Sequence, residues 1–330
     1  MAVRNLRDCH NYKNNNKGVN NMKNVKTLII VALMGASLIA STTRTQALGG
    51  AGFWAEDYAN IGAFPADVNN HSVAWTDGAD FTSIFNANGT TWGFAGGTDA
   101  NDVVNMMWGN GSMGAAFGLN MLAAVECEDG DDACVAADAE TNFNIGFGMP
   151  LAGMDFGFTY DGDMMGVNLR RAQNVWLWDN MLINFDMTPE NEDDGTVSDM
   201  NFNTWFYSNT AYDSGTNGLF ALGFAYGAEG CLGDDCEAPD GTLNMVWNFA
   251  VESAMTDWAT LRVNYMKAYD WMGGDNAPGM VNMGLGFNYG SFTLDMMLNS
   301  FDSMMNDPVK YVTGRNTAAL GSEWTISYAW

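Results

Sequence analysis

The chain ends in the stretch SEWTISYAW (residues 322–330), in which two kinds of side chain alternate. Polar residues stand at every second position and apolar ones between them: Glu323, Thr325 and Ser327 against Trp324, Ile326, Tyr328 and Trp330. Because successive side chains of a β-strand point to opposite faces, this period of two predicts a strand with one polar and one apolar face. Most domains end in polar, poorly ordered residues unless the terminal strand is tied into a sheet, so we expect this strand to be paired.

The same alternation recurs upstream, from about residue 90 onward, and outside the first 50 residues no long stretch follows the helical period of 3.6. The segment VNMGLGFNY (281–289) places Val, Met, Leu, Phe and Tyr on one face and Asn and Gly on the other. Four more segments follow this pattern: TNFNIGFGM (141–149), LNMVWNFAVE (243–252), TLRVNYMKAYDW (260–271) and SFTLDMMLN (291–299). Lys267 falls on an apolar face, which we expect only where a long side chain reaches an interface.

Short turns and long loops alternate between these segments. The short connections are 150–153, 212–217, 255–257 and 289–291, and the long ones are 125–140, 188–198, 229–240, 272–279 and 301–317. Strands joined in this way predict an up-and-down antiparallel meander whose long loops emerge at one end. Counting back from Trp330 gives about fourteen strands, and residues 71–76 and 80–86 add a first hairpin if they pair, which makes about sixteen.

The composition excludes several classes of protein. Apolar residues make up 47% of the chain but charged residues only 16%, against about a quarter in ordinary soluble domains. The net charge is −26, and more than half of the 13 basic residues lie before Leu48, so the rest of the chain is strongly acidic. Such a chain repels nucleic acid, because it has no basic patch to follow a phosphate backbone, and it attracts cations.

The N-terminal residues have the layout of a secretory signal peptide. From Met22, two lysines precede an apolar run over Thr27–Ala40, and small or polar residues follow. The run is too short for a membrane-anchor helix, which needs about 20 residues. We therefore predict a leader over residues 1–47, a translation start at Met22 and cleavage after Ala47.

The chain that remains after cleavage has four cysteines in two close pairs, each flanking acidic residues. We predict two disulfides in these loops, Cys127–Cys134 and Cys231–Cys236, since an even number of cysteines in an exported protein is typical of disulfides. A zinc site is the alternative, but neither loop contains a histidine. The same loops carry carboxylates that offer oxygen ligands to Ca²⁺, at Asp129, Asp131, Asp132, Asp234 and Asp235. Neither loop matches the twelve-residue, helix-flanked calcium loop, so ordinary solvated loops are the preferred explanation.

Two folds explain one-faced strands of this kind. A soluble β-sandwich buries its apolar face against a second sheet, but the polar faces here hold Asn, Gly, Ser and Thr with little Lys or Glu. Many strands are also about ten residues long and bordered by Trp and Tyr, which is typical of tilted membrane-spanning strands with aromatic girdles. In the second fold the apolar face points at lipid, and the sheet must close because hydrocarbon cannot satisfy a free edge.

The signal peptide, the alternating strands, the alternating loop lengths and the C-terminal WTISYAW together resemble the porin-like outer-membrane β-barrels of Gram-negative bacteria, over residues 48–330. The resemblance implies an all-β fold, a closed antiparallel up-and-down transmembrane β-barrel of about 14 strands, in the range 12–16. Residues 90–330 are then the barrel, and residues 48–89 are a plug, a periplasmic lead-in or a first hairpin. No motif identifies a subfamily.

The resemblance also implies partners and a location. The protein is expected in the outer membrane with its long loops outside the cell, in contact with lipid and lipopolysaccharide, and a homotrimer is one expected assembly. In this group the barrel-assembly machinery recognises the terminal aromatic and the alternating apolar residues before it. Here those residues are Trp324, Ile326, Tyr328 and Trp330.

A barrel of this width predicts transport, because about fourteen strands leave a water-filled or partly plugged lumen whereas eight are filled by side chains. We predict a passive channel for small hydrophilic solutes with a preference for cations, since acidic residues outnumber Arg262 on the polar faces. The predicted pore-lining residues are Asp155, Asn244, Asn248, Glu252, Arg262, Asn264, Asp270, Asn282, Asp295 and Glu323.

Two other functions remain open at this point. One is a structural or surface-interaction barrel with a closed lumen, and the other is a transporter of hydrophobic ligands, for which Met266 and Met297 on the polar faces are a weak sign. An enzyme is not expected, because His71 is the one histidine after the leader and no nucleophile, base and acid stand in a recognisable arrangement. No cofactor is expected.

Overall fold

A computed structural model describes residues 42–97, 102–122, 139–190, 197–212, 215–230, 241–272, 278–298 and 323–330. Its sixteen strands are β1 (Val73–Thr76), β2 (Asp80–Ala87), β3 (Thr90–Gly97), β4 (Asp102–Gly109), β5 (Gly114–Leu122), β6 (Glu140–Leu151), β7 (Met154–Tyr160), β8 (Met165–Val175), β9 (Trp178–Thr188), β10 (Asp199–Tyr212), β11 (Thr216–Glu229), β12 (Thr242–Thr256), β13 (Ala259–Asp270), β14 (Met280–Tyr289), β15 (Phe292–Leu298) and β16 (Glu323–Ala329). Each strand pairs with its neighbours in the chain, and β1 pairs with β16, so the sheet is a closed barrel. The predicted fold class is confirmed, at the upper end of the expected strand number.

The C-terminal strand closes this barrel. In β16, Ile326 lies opposite Thr76 of β1, and its other edge pairs with β15. The backbone N–H of Trp330 also donates to the carbonyl oxygen of Ser72 at 3.3 Å. The terminal strand therefore has a partner on both edges, which removes the free backbone groups that hydrocarbon cannot solvate.

The apolar face of the strands points outward. In β12, Phe249 and Val251 are 44% and 45% exposed. Asn248, which precedes Phe249 in the strand, is fully buried. On the outer surface, Phe249 stacks on Phe220 of β11 with 4.6 Å between ring centroids. An apolar outer surface on a closed barrel is the arrangement that a bilayer requires.

Lys267, which breaks the pattern, also lies on the outer face, since its neighbours Met266 and Ala268 are buried inside. Its ammonium nitrogen lies 4.9 Å from the ring centroid of Tyr269. This cation–π contact lets the long side chain run along the surface towards the nearby end of β13.

The connections fall into two groups, one at each end of the barrel. Turns of at most a few residues join strands at the end where β1 begins, here called the short-turn end: 88–89, 110–113, 152–153, 176–177, 213–215, 257–258 and 290–291. All the long connections lie at the opposite, long-loop end: 123–139, 189–198, 230–241, 271–279 and 299–322. In the described part of the chain, no helix is long and apolar enough to span a membrane.

Residues 42–72, here called the plug segment, lie inside the barrel. The segment holds helix α1 (Thr42–Ala47) and two 3₁₀ helices, Tyr58–Gly62 and Pro65–Asn70. Helix α1 contacts β13 to β16, and the second 3₁₀ helix contacts β3 to β7, so the segment touches two opposite walls. Its large apolar side chains are almost completely buried: Leu48, Phe53, Trp54, Ile61, Phe64 and Val68.

The outward orientation predicts a position-dependent cost of charge on β12. We expect Phe249→Arg, near the middle of the strand, to destabilise the barrel by about 2–4 kcal/mol because the charge sits deep in the acyl chains. Leu243→Arg, on the same face but next to the strand end, is the matched control and should cost at most about 1 kcal/mol. Urea unfolding in lipid vesicles measures both, and equal costs would contradict the proposed membrane depth.

Candidate functional site in the lumen

The strand register places all ten predicted pore-lining residues on the inner face. Six of them lie opposite another member of the set on the neighbouring strand: Glu252 opposite Arg262 and Asn244 opposite Asp270, and Asn282 opposite Asn264. The most deeply buried are Asn244, Asn248, Arg262, Asn264 and Asp295. Asp270 and Glu323 instead lie where β13 ends and β16 begins, at the long-loop end.

A first ionic cluster joins the plug segment to β12, β13 and β15. The Arg262 guanidinium donates to Glu252 at 2.7 Å and to Asp295 at 2.6 Å. From the plug segment, Arg44 donates to the same Glu252 carboxylate at 3.1 Å and to Asp57, also in the plug segment, at 2.5 Å. Two arginines thus hold three buried or nearly buried carboxylates at one place on the wall.

On the long-loop side of this cluster, a row of side-chain amides crosses β12, β13 and β14. Asn282 donates to Asn264 at 3.3 Å, Asn264 donates to Asn248, and Asn248 donates to the carbonyl oxygen of Gly49 at 3.3 Å. Gly49 has a φ of +89°, and a Cβ there would lie 2.4 Å from the amide nitrogen of Asn248. Glycine is therefore required both by the backbone conformation and by the close approach to the wall.

A second ionic cluster fixes the other side of the plug segment. Arg170 of β8 donates to Asp67, in the second 3₁₀ helix, at 3.0 and 3.3 Å, and to Asp155 of β7 at 3.0 Å. The same guanidinium lies 4.5 Å from the ring centroid of Phe64. Asp67 is buried whereas the side chain of Asp155 is 52% exposed, so the two contacts with Arg170 differ in their access to water.

Part of the inner wall is apolar, which was not predicted from the sequence. Trp205 and Tyr207 of β10 face inward and pack edge-on against Phe53, at 5.3 and 5.2 Å between ring centroids. Leu182 of β9 is buried beside them. The stretch NFNTWFYSN (201–209) contained the relevant pattern. Trp205 lies two residues after Asn203 and four after Asn201, so the three side chains share one face of the strand. Because aromatic residues occupy both faces there, alternation alone did not identify the inner one.

Glycines on the wall make room for the backbone of the plug segment. A Cβ on Gly157 would lie 1.9 Å from the carbonyl oxygen of Ala63, and one on Gly148 would lie 2.5 Å from the backbone nitrogen of Ala66. Gly148 and Gly157 are direct partners in β6 and β7, so together they form a flat surface under the second 3₁₀ helix. Glycine within a strand often marks such an approach of another backbone.

We expect Gly157→Ala to loosen the plug segment, because the added methyl group meets backbone rather than a flexible side chain. Gly96→Ala is the matched control, since a Cβ at Gly96 in β3 has no atom within 4 Å. Hydrogen–deuterium exchange over residues 58–70 should speed up by roughly tenfold or more in the first variant and stay unchanged in the second. Equal exchange in both would show that the segment does not rest against β7.

Burial shifts the pKa values of three side chains in the plug segment. Burial raises the pKa of Asp67 above its ordinary value, although the Arg170 guanidinium opposes this. For Arg44, burial disfavours the charged form, but the carboxylates of Asp57 and Glu252 outweigh it and the pKa is raised. Burial lowers the pKa of His71, which lies 6.2 Å from the Tyr58 ring between centroids. Arg44 therefore stays charged inside the barrel.

Several predicted residues lie outside the described part of the chain. These are the four cysteines Cys127, Cys134, Cys231 and Cys236 and the loop carboxylates Asp129, Asp131, Asp132, Asp234 and Asp235. Among the residues that are described, no group of His, Cys, Asp or Glu side chains is arranged to hold a metal ion. The disulfides and the calcium loops stay predictions.

A closed antiparallel barrel with an apolar outer face, a polar inner face and a paired C-terminal strand is a transmembrane β-barrel of the outer-membrane class. No family model matches the chain, and no curated protein matches it. Among solved structures it is similar to a "bacterial polysaccharide outer membrane secretin", with 9% identity and a TM-score of 0.42 over 78% of this chain and 96% of that one. It is also similar to the outer-membrane protein OmpT of Vibrio cholerae, with 14% identity and a TM-score of 0.25 over 76% of this chain and 64% of that one.

Proposed function

We propose that the protein is a plugged outer-membrane channel for small hydrophilic solutes, with the plug segment as its gate. One observation carries the proposal: the wall side chains of a sixteen-stranded barrel do not fill its lumen, and the N-terminal residues 42–72 lie in the space that is left. A barrel with a purely structural role needs no such width, because about eight strands already give a filled interior.

The way the plug segment is held supports a movable gate. Wall side chains bind the backbone of its central part: Asn209 donates to the carbonyl oxygen of Phe53 at 2.6 Å, and Tyr207 donates to that of Gly52 at 3.3 Å. Among the described residues, the one bond from wall backbone to its backbone, from Trp330 to Ser72, lies at its end, where β1 begins. In the described part of the chain, the plug segment adds no strand to the sheet. It can therefore leave the lumen without breaking a backbone ladder of the barrel.

The charge at the long-loop end supports cation preference. Acidic residues lie on the inner face at the ends of the strands there: Asp186, Asp199, Glu229, Asp270 and Glu323. Among the described residues, no arginine or lysine shares this part of the inner face. Deeper acids such as Glu252 and Asp295 are neutralised by arginines. We therefore propose that the acidic residues at the long-loop end determine the ion selectivity, since a ring of acids favours cations.

The ion selectivity of a chain that lacks residues 49–70, the central part of the plug segment, tests this assignment. We expect Asp199→Asn with Glu323→Gln to lower the cation-to-anion permeability ratio by roughly twofold. Asp257→Asn, in the exposed turn 257–258 at the short-turn end, is the control for a lost carboxylate elsewhere and should leave the ratio within error. Reversal potentials in a KCl gradient give the ratio, and an anion-preferring pore would contradict the proposal.

We further propose that the long-loop end faces the outside of the cell and meets lipopolysaccharide. The proposal follows from the length and acidity of the connections gathered there, which suit divalent cations bridging anionic headgroups. The exposed C-terminal aromatics at the other end, Tyr328 and Trp330, then lie at the periplasmic interface, where the assembly machinery meets them. Protease added to intact cells should cut the long loops and leave the short turns intact.

A cavity beside the plug segment favours a second function, the binding of small apolar molecules. It lies between Gly49–Ala51 and the walls of β9 to β13. Its lining is largely apolar, with Leu182, Trp205, Ala225, Val246 and Met266, and three amides line it as well: Asn184, Asn203 and Asn244. An apolar pocket with a few polar groups suits an aliphatic ligand with one polar end.

Photolabelling tests this second function. An alkyl alcohol that carries a diazirine should label the cavity residues Trp205 and Met266 as well as the outward Phe249, which contacts lipid. Ala225→Phe fills the cavity, so it should abolish labelling of the first two and leave Phe249 unchanged. Labelling of the outer face alone in the unaltered protein would remove the apolar-ligand function.

A further inference from the structure

We propose that the leader is cut upstream of Thr43, so that the mature protein keeps helix α1 and Arg44. Cleavage after Ala47, the small-residue site predicted from the sequence, would remove both. Helix α1 lies inside the barrel, where Thr43, Thr45 and Ala47 are each at most 4% exposed. The proposal concerns processing and is independent of whether the lumen conducts.

The charge balance of the first ionic cluster requires Arg44. Asp57, Glu252 and Asp295 contribute three carboxylates, and Arg44 and Arg262 contribute two guanidinium groups. Asp57 is 4% exposed, and Arg44 is the one cation in the described part of the chain that lies within ion-pair distance of it. A chain that began at Leu48 would leave this carboxylate buried without its cation, which is strongly unfavourable.

The wall is also shaped for helix α1. The hydroxyl oxygens of Thr43 and of Thr325 in β16 lie 3.0 Å apart, so they form a buried hydrogen bond. A Cβ on Gly284 of β14 would lie 2.6 Å from the Cβ of Ala47, so glycine at that position allows the helix to lie against the strand. These contacts involve different strands and are unrelated to the charges, so they support the retention of α1 independently.

Helix α1 further fixes the start of the rest of the plug segment. The backbone N–H groups of Leu48 and Gly50 donate to the carbonyl oxygen of Thr45 at 3.1 and 2.8 Å. This turn positions Gly49 against Asn248 in the amide row. Without residues 42–47 the first turn of the segment would lose its hydrogen-bond acceptor.

The sequence offers an alternative cleavage site in the required place. Gly35-Ala36-Ser37 has small residues at both positions that leader peptidases read, and it follows an apolar run over Thr27–Met34. That run is long enough for the apolar region of a signal peptide, which takes about 7–15 residues. Cleavage there leaves a few residues before α1.

The first test is the intact mass of the protein extracted from outer membranes, with the N-terminal peptide sequenced by tandem mass spectrometry. We expect the first residue to lie between Leu38 and Thr43. A chain that begins at Leu48, at any other residue outside that range, or with the leader uncut contradicts the proposal.

A cysteine pair provides a second and independent test. Thr43→Cys with Thr325→Cys replaces two oxygens 3.0 Å apart, so oxidation should form a disulfide between them. Mass spectrometry should find the linked peptide in nearly all folded molecules, and Thr325→Cys alone is the control for unspecific pairing with the native cysteines. If the leader were cut after Ala47, residue 43 would be lost and this peptide would be absent from the folded barrel.

Discussion

Removal of residues 49–70 should convert a nearly silent barrel into an open pore. The change takes away the part of the plug segment that fills the middle of the lumen, including the buried Phe53, Trp54 and Phe64. Sixteen strands then enclose a water-filled channel, and we expect the single-channel conductance in planar bilayers to rise by at least about tenfold. The current should be ohmic, because the part of the plug segment that fills the middle of the lumen is gone.

The folded state of the shortened chain has to be checked alongside the current. Resistance of the barrel to unfolding in cold detergent, seen as heat-modifiable migration on a gel, shows that the sixteen strands have closed. If the shortened chain is folded but conducts no better than the full chain, the gate is not the plug segment. The structural barrel would then be the better account of the protein.

The second large effect is expected at the contact between Asp67 and Arg170. Asp67→Ala removes the carboxylate of the plug segment that Arg170 holds at 3.0 Å in a buried position. Breaking a buried pair costs about 3–5 kcal/mol, and we expect about 2 kcal/mol here because Asp155 still partners the arginine. The fraction of time spent open in bilayer recordings should then increase by roughly 30-fold.

Asp155→Ala is the matched control for this contact. It removes a carboxylate at the same 3.0 Å distance from the same arginine, but one that belongs to the wall and whose side chain is 52% exposed. Exposed pairs contribute about 0–1 kcal/mol, so the open fraction should change by less than about fivefold. An equal effect of both variants would mean that Arg170 acts through the barrel wall and not through the plug segment.

The faces of the strands and the closure of the sheet could be predicted because each depends on local alternation. A period of two fixes which side chains share a face, and the scarcity of Lys and Glu on the polar face decides which face is enclosed. That is why residues as far apart as Asp155 and Glu323 could be placed on the polar face from the sequence, and why the C-terminal strand was expected to be paired. The first hairpin was harder, because β1 has only four residues.

The filling of the lumen could not be predicted in the same way. Helix α1 and the two 3₁₀ helices are each at most six residues long, so they leave no periodic signal in the sequence. Their positions depend on contacts across the barrel, such as Arg44 with Glu252, which are separated by about two hundred residues of chain. The inward orientation of Trp205 was likewise hidden, because aromatic residues occupy both faces of β10 and only the closed sheet shows which face is the inner one.

The sequence by itself determined that this chain folds into strands with one apolar and one polar face and that these strands close into a barrel. The reason is that backbone geometry and the need to satisfy every backbone hydrogen bond in lipid act on each strand and its neighbours. Only the tertiary structure decided that the barrel is occupied and that its central acids are neutralised. Those properties depend on which distant side chains meet when the sheet closes around residues 42–72, and no local pattern encodes such a meeting.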